Sequence, residues 1–180
     1  MNKGDSDGLA LLEHILPLEI NVQPLIICPP AIILREIQAC LQSTESPIFL
    51  GAQHCAAFAE GAYTGDIIAA MIKGAGAAYV LIGHSERRLY HHKTLLLIHE
   101  KLKMALSEGL RPILCVRENK KDREAVMTCV VLKKDLENCI GSLKIQTMPM
   151  SICGLLERSR CLRGQKSLQC ITLYGKKWGK

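Results

Sequence analysis

Residues 79–88 read YVLIGHSERR: four apolar residues end at Gly83, and a histidine, a serine and three charged residues fill the next five positions. An apolar run without polar alternation is the pattern of a strand covered on both faces, as parallel strands are. The glycine at its end lets the backbone turn tightly, and Ser85 and Glu86 can satisfy the free amides that open a helix. The stretch therefore reads as strand, turn, helix, with His84 at the carboxyl end of the strand. In parallel α/β sheets ligands bind at that end, where loops are free of packing and helix N-termini face them. An imidazole there can donate a hydrogen bond to a substrate oxygen, or it can simply cap the helix with no substrate at all.

The same alternation extends in both directions. PLIIC (24–28), PIFLGAQ (47–53), AAYVLIG (77–83) and RPILCV (111–116) are short apolar runs of the buried-strand kind. Between them lie helical spacings: Leu9, Leu12 and Ile15; Ile33, Ile37 and Leu41; Ile67, Met71 and Ile72; Leu95, Ile98, Leu102 and Leu106. A fifth helix is expected over about Asp122 to Asn138, Gly109 suits a helix C-cap, and Gly74-Ala75-Gly76 a helix end. Strand and helix in regular alternation imply βαβ crossovers and a parallel sheet, hence an α/β fold.

Composition narrows the function classes. The 180 residues suit one domain, with 48% apolar and 22% charged residues and no apolar run long enough to span a membrane. The opening MNKGDSDG lacks the apolar stretch of a secretory signal, so a cytoplasmic chain is expected. Nine cysteines without a CxxC pair read as reduced thiols. The histidine pair His91-His92 has no ligand spacing around it that completes a metal shell, and no metal is expected.

Charge divides the chain. From residue 140 onward eight Lys or Arg face one acid, Glu157, a balance of +7; the chain's 23 bases and 17 acids leave 15 and 16 before that point. Residues 1–139 are expected to form the α/β domain and residues 140–180 a basic, poorly ordered tail.

Taken together, GAQHC (51–55), GAYTGDI (61–67), YVLIGHSERR (79–88) and GLRPILCVRE (109–118), with CPPAIIL (28–34), resemble the triosephosphate isomerase family over about residues 8–139. The resemblance implies a partial (β/α)8 TIM barrel, strands two to five of eight with their helices, followed by a non-homologous basic C-terminal tail. It implies interconversion of dihydroxyacetone phosphate and glyceraldehyde 3-phosphate, a triose phosphate substrate, and no metal or cofactor. The family's division of acid and base roles is a long-established case of environment-tuned groups and is not read from these residues. By resemblance His84 is the electrophile that polarises the carbonyl and Glu86 the acidic residue that supports it. Gly61, Tyr63, Thr64 and Gly65 belong to the loop that enters the second subunit of the family's homodimer, Thr64 reaching toward the partner's site.

Several family features have no counterpart. The family's catalytic lysine immediately precedes a Met-Asn pair, which Met1 and Asn2 match, and Lys3 is expected to be solvated rather than a slipped replacement. His54 stands where the family has asparagine, Lys93 near a family glutamate, and Arg117 in place of a glycine. The sixth family strand, AYEPVWAIGTG, carries the glutamate base, and MPMSICGLLE does not resemble it. Back-translated with permitted codons and read two bases later, Met148–Arg158 spells Ala-Tyr-Glu-His-Met-Trp-Ala-Ile-Gly-Thr. The expectation is a frameshift near residue 140, a truncated barrel, and negligible activity of this chain alone. An alternative is a non-enzymatic remnant whose tail, with Tyr174 and Trp178 among Lys176, Lys177 and Lys180, binds nucleic acid or an anionic surface; a solvated tail is the expectation, and nucleic acid is not an expected partner.

Overall fold

A computed structural model describes residues 5–17, 25–92, 94–116, 128–141, 143, 151–154 and 170–171. In chain order the elements are α1 (Asp5–Ile15), β1 (Ile26–Ile27), a 3-10 turn (Ala31–Ile33), α2 (Leu34–Ser43), β2 (Phe49–Ala52), α3 (Ala69–Gly74), β3 (Tyr79–Ile82), α4 (Ser85–Tyr90), α5 (Leu95–Ser107), β4 (Arg111–Val116), α6 (Thr128–Ile140), β5 (Ser151–Gly154) and β6 (Cys170–Ile171). Lys3, Lys93, Arg117 and the aromatic and basic residues from Tyr174 to Lys180 lie outside the described residues, as does the first part of the expected fifth helix.

The strands form one sheet in the order β1-β2-β3-β4-β5-β6. Neighbours from β1 to β5 are parallel, and β6 is antiparallel to β5. Sequential order without a reversal is barrel topology; a doubly wound sheet would switch direction of strand addition partway. This is an α/β fold and a partial TIM barrel, whose first four strands are the four read from the apolar runs. In the part expected to be a poorly ordered tail, Ser151–Gly154 adds to the edge of β4, with Ile113 opposite Ser151 and Val116 opposite Gly154. An unpaired strand edge is a template for such addition.

Period-two alternation sorts the strand residues onto two faces. Leu50, Ala52, Val80, Ile82, Leu114 and Val116 pack against the helices, where Leu12, Ile37, Ile72, Ile98 and Leu102 meet them in the main core. Tyr79 and Ile113 face the other way, with Ile26 and Leu81 around them. Met71, expected on the apolar stripe of α3, is exposed; Ala69 and Ile72 are the residues that helix buries. The helix has only six residues, and its stripe starts later than the spacing of Ile67 implied. Gly109 closes α5 with φ +69°, its N–H donating to the Leu106 carbonyl, as a left-handed cap requires.

Arg88 joins three of these elements. Its Nε donates to the Gly83 carbonyl at 2.8 Å, Nη2 to the Cys115 carbonyl at 2.8 Å, and Nη1 to Asp135 Oδ2 of α6 at 2.7 Å. The side chains of Arg88 and Asp135 are 9% and 17% exposed, so this is a buried pair, and removing one partner strands a charge. Replacing Arg88 by alanine is expected to cost about 3–5 kcal/mol in urea denaturation. Arg88→Lys should recover only part of that, because an ammonium cannot reproduce the planar fork.

Burial also sets a pH dependence. Desolvation pushes the Cys28 thiol up to about 12, the Cys55 thiol up to about 11 against the pull of Lys101, and the Cys139 thiol up to about 11 against that of Arg88. Each ionises more readily unfolded, near 9, than folded, so unfolding releases protons in alkali. Stability should fall as pH rises from about 9 toward 11, and a variant with Cys28, Cys55 and Cys139 replaced should show a flatter slope of urea midpoint against pH. An unchanged slope would contradict this origin.

Candidate active site

The carboxyl ends of β1 to β4 share one rim, and His84 stands on it. Gly83 leaves β3 with φ +79°, and a side chain there would bring its Cβ to 3.1 Å from the Cys115 carbonyl, so the turn requires glycine. His84 is the residue before α4, and its carbonyl accepts the Arg88 amide at 3.0 Å, but its side chain makes no capping hydrogen bond. The simple capping role is therefore not what the ring does. Ser85 and Glu86 open α4, as the sequence suggested, and Ser85 is buried.

The ring of His84 is 27% exposed, and its Nδ1 lies 3.7 Å from Glu86 Oε2. That distance exceeds a hydrogen bond, and Glu86 is 74% exposed, so the carboxylate acts on the ring as a screened charge. Nε2 has no hydrogen-bond partner among the described residues. The expected electrophile and its supporting acid are thus brought together, through space rather than through a bond.

The loop after β2 is held from within. Ala56 donates to the Ile67 carbonyl at 2.8 Å across its base, and the Phe58 and Tyr63 rings stack at 3.5 Å between centroids. Gly61 and Gly65 have φ of +141° and +90°, so the turn that presents Tyr63 and Thr64 to solvent depends on them. Burial lowers the pKa of Arg87 in α4, and the loop's Asp66 opposes that shift, which couples the loop to the helix that follows His84.

Three polar residues of this rim were not assigned roles by sequence reasoning. Gln53 Nε2 donates to the Cys28 carbonyl at 3.0 Å, tying the ends of β1 and β2. Arg88 ties β3 to β4, as described above. Lys101 is 5% exposed, donates to the Cys55 carbonyl at 2.5 Å and lies 3.1 Å from His54 Nε2, so α5 is pinned to the loop after β2. A signal for Lys101 was available: it falls on the same helical stripe as Ile98, Leu102 and Ala105, where a charge must be paired to be buried.

Comparison with known proteins agrees with this geometry. The model of the family described as triosephosphate isomerase matches residues 1–153. The triosephosphate isomerase of Porphyromonas gingivalis (strain ATCC 33277) is 42% identical over 146 residues, 79% of this chain and 57% of the relative. That of Bacteroides fragilis (strain ATCC 25285) is 41% identical over 128 residues, 69% of this chain and 50% of the relative. The crystal structure of triosephosphate isomerase from Bartonella henselae superposes with a TM-score of 0.77 at 31% identity, covering 86% of this chain and 64% of that one. The chain spans between half and three fifths of the length of these curated relatives. With the sequential parallel sheet, the rim histidine and the match over residues 1–153, the chain belongs to the triosephosphate isomerase family.

Proposed function

We propose that this chain carries the carbonyl-polarising half of a triosephosphate isomerase site and, as it stands, does not complete the reaction. The family reaction converts dihydroxyacetone phosphate to glyceraldehyde 3-phosphate through an enediolate, a cytoplasmic step of glycolysis and gluconeogenesis. In this reading His84 Nε2 donates to the substrate carbonyl oxygen and stabilises the charge that develops there, while Glu86 holds negative potential at Nδ1. Forming the enediolate also requires a base within hydrogen-bond reach of the carbon acid.

One observation carries the reading. Strand β5 is the parallel neighbour of β4, the sixth place in the family's strand order, and its residues are Ser, Ile, Cys and Gly, without a carboxylate. The base that the family supplies from its sixth strand has no equivalent in those four residues. We further propose that residues 140–180 arise from a shifted reading of the isomerase gene. The tail's balance of +7 supports this, and Met148–Arg158, for which permitted codons exist whose shifted reading gives the glutamate motif, is the stretch that contains β5.

Purified from a host lacking its own isomerase, the chain should interconvert triose phosphates no faster than a blank, and His84→Gln should be indistinguishable from it. Turnover that His84→Gln abolishes would overturn the proposal, since it would require a base elsewhere. The coding DNA across codons 135 to 160 should spell the glutamate motif when read two bases later; a sequence that does not would remove the frameshift. Association of the tail with polyanions would instead show as DNA affinity that falls steeply with salt and is lost on deleting residues 140–180.

A further inference from the structure

A cavity of about 330 Å³ lies between α1, the end of β1 and α2, and His84 is not among the residues that line it. Leu12 and Ile15 of α1, Ile27 of β1, Ile33 of the 3-10 turn and Ile37 of α2 give it apolar walls. Gly8 brings α1 close at one end, where an added Cβ would lie 2.6 Å from Ile33 Cδ1. Pro29 and Pro30 complete the wall and have no backbone N–H, so the chain there presents no donor. None of the lining residues is charged, and a phosphate or carboxylate entering the cavity would lose its hydration with no cation to replace it.

Polarity comes from two side chains. Gln53 spends its Nε2 on the Cys28 carbonyl at 3.0 Å, which leaves Oε1 as an acceptor with no hydrogen bond among the described residues. Cys28 adds its thiol, and the burial that pushes this group up to about 12 is that of a wall poorly reached by water. Small-molecule sites have this make-up, apolar walls with a few polar groups that fix orientation. An apolar cavity of about 150 Å³ takes up benzene, and one about twice that size suits two fused rings. We propose that this cavity binds an uncharged bicyclic aromatic molecule, its rings among the leucine and isoleucines and its single N–H or O–H donor on Gln53 Oε1. Binding removes the ring surface from water and gives the amide oxygen a partner.

Cys28 reports occupancy, because it lines the cavity and is the one cysteine of the tryptic peptide 4–35. Cys40, half-buried on α2 and not part of the lining, is the internal reference. The full chain is labelled with N-ethylmaleimide in rising indole, and the label at each cysteine is followed by mass spectrometry. Labelling of Cys28 should slow as 1 + [L]/Kd, about tenfold at nine times Kd, with Cys40 unchanged. 1-Methylindole, which has no donor, should need several-fold higher concentrations, and indole-3-acetate should not protect. Ile15→Trp, which places an indole in the same space from the half-buried end of α1, should label slowly at Cys28 without ligand and gain nothing from added indole. If that variant does not fold, the ligand series on the unaltered chain decides. No protection up to the solubility of indole, equal slowing at Cys40, or equal protection by 1-methylindole or indole-3-acetate would overturn the proposal.

Discussion

The guanidinium of Arg88 is the point on which the rim depends. Among the described residues no closing strand holds the carboxyl ends of the strands together, and the role proposed for His84 needs that rim to keep its shape. Arg88 fixes the carbonyl immediately before His84, the carbonyl near the end of β4, and a carboxylate on α6, so one side chain determines where β3 stops and α4 begins. Gln53 and Lys101 repeat the device further along, each spending a donor on a carbonyl at or just beyond a strand end. The helices on the outer face supply the apolar core, but these polar ties set the positions of the loops that ligands would meet.

Among the described residues the sheet does not close. A closed barrel has no edges, whereas the described sheet has β1 at one side and, without β5, would have β4 at the other. Ser151–Gly154 occupies the edge of β4. Backbone pairing restores the ladder; it cannot restore a carboxylate.

Much of the fold was legible because buried parallel strands leave a strong apolar signal. Arg111–Val116 was read with its full extent, and the runs around Ile26, Phe49 and Tyr79 were read one or two residues long at their ends. Those margins are decided by where ladder hydrogen bonds begin and end, which an apolar run does not record. Met71 was misplaced because a six-residue helix gives too few turns for its stripe to be fixed by spacing. At the candidate site, His84 and Glu86 were singled out by their motif, whereas the contacts of Arg88, Gln53 and Lys101 were not. Each acts on backbone carbonyls from distant segments, Lys101 on one forty-six residues away, and carbonyls carry no sequence signature. The strand at Ser151–Gly154 was missed because its pairing comes from an open neighbouring edge rather than from its own pattern.

The central proposal is that His84 polarises the carbonyl and that the four residues of β5 supply no proton-abstracting base. Exchange of the carbon-bound hydrogen of dihydroxyacetone phosphate in deuterated water, followed by NMR, isolates the step in which those two roles separate. The account predicts exchange at the rate of the buffer alone with saturating chain, unchanged in His84→Gln. Exchange clearly above the buffer rate and dependent on His84 would contradict it.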